Sequence, residues 1–132
     1  MTTPILGGCQ CGTVRFKCTA EPAFSIHCYC RQCQRITGAG HGSQFGIAAT
    51  AVSLTGKLSE YQLTADSGNI VTSAFCPNCG SPILKKSSGY PDMFFFHGAA
   101  LDDPTHFKAQ RNVWMRSKQP WDSHDITLAS DP

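Results

Sequence analysis

The sequence predicts a mostly β domain, and three observations support this prediction. Several segments alternate apolar and polar residues, as strands with one buried face do. No segment shows a 3.6-residue apolar period of helix length. Glycine and proline, 12 and 8 of the 132 residues, separate the alternating segments, as they do at turns. The length suits one domain, which we expect to span residues 3–128.

The first predicted strand is GTVRFKCT at 12–19, where every second residue is apolar. Its Cys18 shares the apolar face and is expected in the core, because free cysteine is among the most buried residue types. The next strand, AFSIHCYC at 23–30, alternates in the same way and runs into a group of closely spaced cysteines. RQCQRIT at 31–37 predicts one short helical turn, ended by a glycine-containing loop.

The rest of the chain predicts further strands rich in aromatic and β-branched residues. The longest of them is expected to break near Gly56. These segments are SQFGIAA (43–49), AVSLTGKLSEYQL (51–63), NIVTSAF (69–75), DMFFFHGAAL (92–101) and RNVWMRS (111–117).

The charge pattern argues against two classes of partner. Lysine and arginine total 11 against 9 aspartates and glutamates, so the formal charge is only +2. A nucleic-acid surface needs a clustered basic stripe, and none is present in the sequence. No apolar run approaches the ~20 residues of a membrane span, and the first residues lack the features of a signal peptide. We therefore expect a cytoplasmic protein that binds neither nucleic acid nor membrane.

The chain has eight cysteines, and their spacing favours metal binding over disulfides. In a secreted protein an even count would suggest disulfides. Cysteines spaced C-x-C or C-x-x-C lie on one tight turn, where a disulfide between neighbours is strained. The expected reducing compartment also favours metal ligation.

Two distant cysteine pairs predict a closed zinc site. Cys76 and Cys79 lie in FCPNCGSP, a knuckle that directs two thiolates the same way. Cys9 and Cys11 lie in GCQCG, which offers the second pair. Four thiolates complete a tetrahedral structural zinc site. The alternative is that these are reduced thiols that happen to lie in turns.

The remaining cluster, Cys28, Cys30 and Cys33, predicts a second zinc site of a different kind. Catalytic zinc sites hold three protein ligands and leave one position open. Cys18 or a histidine could supply a fourth ligand, but His27 lies on the opposite strand face from Cys28. The other histidines are expected in surface or structural roles: His41, His97, His106 and His124.

Five blocks of the sequence, in order, resemble the glutathione-dependent formaldehyde-activating enzyme family, whose domain also occurs in centromere protein V. They are GGCQCGTVRF, CYCRQCQRITG, FCPNCGSPI, GAALDDP and QPW. The resemblance implies a β-tent fold of antiparallel sheets and two zinc ions per chain. It places the closed site on Cys9, Cys11, Cys76 and Cys79, and the open site on Cys28, Cys30 and Cys33. Three positions depart from the family pattern: Tyr29 and Asn112 stand where histidine is usual, and Ala109 stands where the family often has proline.

The resemblance implies a carbon–sulfur lyase that joins a small thiol such as glutathione with formaldehyde into S-hydroxymethylglutathione. Three thiolates leave a zinc site with net charge −1, which favours soft thiols over hydrolysis. We expect Arg31 and Arg35 either to offset this charge, to anchor a carboxylate of the thiol, or simply to face solvent. The alternative function is a non-enzymatic zinc-stabilised module that binds a small thiol or a protein partner.

Overall fold

The computed structural model describes residues 3–132, which form two β-sheets and one α-helix. The mostly β prediction is confirmed. The helix, α1, is Arg31–Thr37. The strands are β1 Ile5–Gly8, β2 Arg15–Cys18, β3 Phe24–Cys28, β4 Gly42–Ala48, β5 Val52–Thr55, β6 Ser59–Thr64, β7 Ile70–Phe75, β8 Pro82–Ser87, β9 Met93–His97, β10 Arg111–Val113 and β11 Ala129–Ser130.

The strands divide into a small sheet and a large one. The small sheet has the order β1-β2-β5 and is antiparallel throughout. The large sheet has eight strands in the order β11-β10-β3-β4-β9-β8-β7-β6. Its strands are antiparallel except at one edge, where β10 runs parallel to both β3 and β11. The expected antiparallel architecture therefore holds for all but these two pairings.

The hydrophobic core joins the two sheets. Phe16 of β2 packs against Phe96 of β9 with ring centroids 4.3 Å apart, and Phe45 of β4 stacks on the same ring. Cys18 is only 1% exposed and belongs to this core, as its place on the apolar face of β2 predicted. Burial raises the pKa of its thiol to about 11, so Cys18 is an inert core residue.

The predicted helical turn is α1, and both of its ends are capped. Cys30 is the N-cap residue, and its sulfur accepts a hydrogen bond from the backbone N–H of Cys33. Gly38 ends the helix with a φ of 72°, a left-handed conformation that glycine adopts without strain. The chain turns there and enters β4, against which α1 packs.

Three strands and several strand ends differ from the sequence prediction, among them the strand predicted over 92–101, which ends at His97. β1, β8 and β11 were not predicted, and β8 carries the lysines of PILKKS instead of a clear alternation. The predicted strand over 111–117 ends at Val113, because Trp114 adopts a left-handed conformation with a φ of 59°. Within the described residues, no helix is long and apolar enough to cross a membrane.

Candidate metal centres and the cavity beside them

The first cysteine cluster joins the turn after β1 to the turn after β7. The sulfurs of its four cysteines all lie within 4.8 Å of one another. Sγ of Cys11 lies 3.6 Å from that of Cys9 and 3.8 Å from that of Cys76. Four sulfurs tetrahedrally arranged around zinc at ~2.3 Å would lie about 3.8 Å apart. The cluster of Cys9, Cys11, Cys76 and Cys79 therefore fits a zinc ion.

Hydrogen-bond donors surround the sulfurs of this cluster, as thiolates require. The hydroxyl of Thr13 lies 3.0 Å from Cys11 Sγ, and the amide of Asn78 donates to the same sulfur at 3.2 Å. These two contacts lower the pKa of Cys11 to about 5. Ser81 lowers the pKa of Cys79 to about 7 in the same way. Two of the four thiols are thus already biased toward the thiolate form.

The second cluster lies where β3 passes into α1. Cys28 is the last residue of β3, Cys30 caps the helix, and Cys33 lies in its first turn. Their three sulfurs lie within 4.8 Å of one another, a donor set that suits zinc. Among the described residues, no further Cys, His, Asp or Glu joins this group. We refer to these three residues as the triad.

Two residues that the sequence analysis did not identify contact the triad. The side-chain amide of Gln44 donates to Cys33 Sγ at 3.0 Å, and the ammonium of Lys85 lies 3.7 Å from the same sulfur. The pKa of Cys30 is lowered, first by hydrogen bonds from Cys28 and Cys33 and further by the charge of Lys85. Lys85 and Gln44 thus provide the positive charge and the hydrogen bond that an ionised triad needs.

Strand register brings these two residues to the triad. Gln44 lies on β4 and pairs with His97 of β9. Lys85 lies on β8 and pairs with Phe95 of β9, so both side chains lie on the two strands that flank β9 in the large sheet. Because β8 was not predicted, the sequence carried no signal for Lys85.

A cavity of about 710 Å³ opens beside the triad. Cys28 and Cys30 line it, together with the cationic side chains of Arg31, Lys85 and Lys86. Its walls include aromatic side chains, namely Phe24, Tyr90, Phe95 and Trp114. The size and the mixture of apolar walls with a few charged groups are typical of small-molecule sites.

The two arginines singled out in the sequence occupy different places. Arg31 lines the cavity beside the triad and donates a hydrogen bond to Gln34. Arg35 lines only a second cavity of about 490 Å³, which Arg31 lines as well. The cation that contacts the triad sulfurs is therefore Lys85, and neither arginine fills that place.

Tyr29 and Asn112, which stand where histidine is usual in the family, are both buried. Tyr29 is 1% exposed and packs on His41 with ring centroids 4.8 Å apart. Asn112 is fully buried, pairs with His27 and donates to the carbonyl of Asp125 at 3.0 Å. His27 Nδ1 lies 2.9 Å from the Ser43 hydroxyl, on the face predicted from the alternation of β3.

Comparisons with known proteins agree with this architecture. The family described as glutathione-dependent formaldehyde-activating enzyme matches residues 4–117. A crystal structure of a Rhodobacter sphaeroides protein is similar in fold, with a TM-score of 0.61 and 20% sequence identity. The similarity covers 76% of this chain and 93% of that one. No curated protein sequence matches the chain.

Proposed function

We propose that this chain, which belongs to the glutathione-dependent formaldehyde-activating enzyme family, is a carbon–sulfur lyase acting on a small thiol and formaldehyde. We further propose that residues 3–128 form its single domain. In this proposal Cys9, Cys11, Cys76 and Cys79 hold a structural zinc ion, and the triad holds a second one at the reaction site.

The observation that carries the proposal is the triad at the wall of a cavity, with a cation against one of its sulfurs. A zinc ion bound by the triad would supply positive charge that favours the thiolate form of an incoming thiol. In the reaction, the thiol sulfur bonds to the aldehyde carbon, and the carbonyl oxygen takes up the proton that the thiol gives up. A cavity that holds both reactants raises their effective concentration.

Lys85 and Gln44 have a defined task in this proposal. Three thiolates and one Zn²⁺ carry a net charge of −1, and the ammonium of Lys85 brings the local sum to zero. Gln44 fixes the position of the Cys33 sulfur through its hydrogen bond and adds no charge. Contacts of this kind, made to a metal ligand and not to the metal itself, orient the ligand and change its affinity for the metal.

Three cationic side chains, Arg31, Lys85 and Lys86, line the cavity against one carboxylate, Asp66. This excess of positive charge suits a thiol that carries carboxylates, such as glutathione. Arg31 and Lys86 line the cavity, and guanidinium groups bind carboxylates with matched geometry. Lys86 is partly engaged, because it pairs with Glu60 at 2.7 Å. We propose Arg31 as the principal anchor of the thiol's carboxylate.

The test compares two cysteine variants. Exchange NMR would follow the formation of S-hydroxymethylglutathione from glutathione and formaldehyde without protein, with the wild type and with Cys30→Ala. Cys18→Ala is the matched control, because Cys18 is a core thiol outside both clusters. We expect acceleration by the wild type and by Cys18→Ala only.

A second outcome would redirect the proposal. If none of the proteins accelerates the exchange, the lyase activity is wrong. Uptake of glutathione by the wild type but not by Cys30→Ala, seen by calorimetry, would then support the alternative, a zinc-stabilised module that binds a small thiol. Metal analysis is expected to give about two zinc ions per wild-type chain.

A further inference from the structure

The second cavity is built differently from the one at the triad. Its volume is about 490 Å³, and its walls come from α1, β6, β7 and β8 and the end of β9. Arg31 and Gln32 line both cavities, so the two are neighbours across the first turn of α1. Of the residues that line this second cavity, the thiol chemistry proposed above uses only Arg31.

The charge of the second cavity is positive. Arg31 and Arg35 line it, and no aspartate or glutamate does so among the described residues. Within residues 3–132, neither guanidinium forms an ion pair with a carboxylate. Two guanidinium groups without a carboxylate partner, set at one cavity, favour an anionic ligand.

A buried histidine adds a polar group to the same wall. His97 is only 6% exposed and lines the cavity. Burial, helped by the positive charge of Lys85, lowers the pKa of His97 to about 4, so its imidazole is neutral near pH 7. Within the part of the chain that is described, its ring makes no hydrogen bond. A neutral imidazole of this kind has a donor and an acceptor available to a ligand.

The remaining wall is largely apolar. Ile36 of α1 lines the cavity, as do Leu63, Phe75 and Pro82 of the large sheet. A small inorganic anion would leave this apolar surface in contact with water. A ligand with an apolar body would cover it and gain the free energy of burying it.

We propose that the second cavity binds a monocarboxylate with an apolar body, such as an aryl-alkanoate. Its carboxylate lies against Arg35, the arginine that lines this cavity alone, and its apolar body lies against Leu63 and Phe75. His97 donates a hydrogen bond to a carboxylate oxygen or accepts one from a hydroxyl group on the ligand. This site goes beyond the lyase reaction and requires no thiol.

The test uses 4-phenylbutanoate and its uncharged counterpart 4-phenylbutanamide, titrated calorimetrically into the zinc-loaded protein. We expect the acid to bind at least about tenfold more tightly than the amide, because charge-assisted hydrogen bonds contribute that much or more. Arg35→Gln is expected to lower the affinity for the acid by about tenfold and to leave the affinity for the amide unchanged. Lys57→Gln removes the same charge from a residue that lines neither cavity and is expected to change nothing.

A second variant keeps the test decisive. Leu63→Trp fills the apolar side of the cavity on the edge strand β6 and is expected to abolish binding of both compounds, with an unchanged circular dichroism spectrum. Equal affinity for acid and amide, full affinity in Arg35→Gln, or no binding of the acid up to about 10 mM would each overturn the proposal. Because neither compound carries a thiol, a failure of the lyase proposal leaves these outcomes unaffected.

Discussion

Replacing Lys85 with methionine should weaken zinc binding at the triad without disturbing the four-cysteine cluster. The substitution keeps an unbranched side chain that matches the lysine stem as far as Cε and removes the ammonium that lies 3.7 Å from Cys33 Sγ. Two unit charges at that separation interact by about 1 kcal/mol in water and by about 4 kcal/mol at an effective dielectric constant of ~20. Lys85 is partly exposed, so we take about 2 kcal/mol, which is roughly a 30-fold loss of zinc affinity.

The measurement is a competition titration of zinc against a chromophoric chelator. The wild type should release its two zinc ions in two steps, and only the weaker step should shift in Lys85→Met. Lys85→Arg keeps the charge and should restore most of the affinity. Lys86→Met is the matched control, because Lys86 is the next residue of β8 and its ammonium pairs with Glu60. Identical zinc release by Lys85→Met and the wild type would refute the assigned role of Lys85.

Three further predictions concern stability and the structural site. Phe96→Ala should lower the free energy of unfolding by about 3–5 kcal/mol in urea denaturation, because this ring is fully buried between the sheets; a loss below about 1 kcal/mol would contradict the core assignment. Cys76→Ser should remove one zinc ion per chain and lower the melting temperature, whereas Cys18→Ala should retain both ions; two ions in Cys76→Ser would refute the structural site. The pKa of His97 falls to about 4 in the folded protein from an unfolded value near ~6.5. Between these two pH values the unfolded chain therefore binds more protons than the folded chain. Acidification from pH 7 to pH 5 should lower the free energy of unfolding of the wild type by about 2 kcal/mol more than that of His97→Asn. If urea titrations at the two pH values show the same loss of unfolding free energy in both proteins, this prediction is wrong.

The cysteine clusters and several strands were accessible from the sequence because their signals are local. The spacing of Cys28, Cys30 and Cys33 brings three sulfurs onto one strand end and one helical turn, and the structure gathers them there. The alternation around Cys18 predicted its burial, because every second residue of a strand lies on the same face and the apolar face packs against the core.

The residues around the triad could not be found in this way. Lys85 and Gln44 reach Cys33 only through the order and register of β4, β9 and β8, which are long-range properties of the sheet. In β8 the local pattern also misleads, since adjacent lysines resemble a solvated turn. At Trp114 the sequence predicted a strand that the structure does not continue. The β propensity of tryptophan favoured a strand, but the left-handed backbone of Trp114 ends β10 there.

The four-cysteine cluster has a consequence for how the protein reaches its fold. It connects sulfurs as far as 70 residues apart in the chain, those of Cys9 and Cys79. Closing a loop of that length in a disordered chain costs about 4 kcal/mol of entropy. The hairpin of β1 and β2 is therefore fixed to the rest of the fold by the zinc site only after β7 and the following turn have formed. We expect the rate of this late step to depend on the zinc concentration.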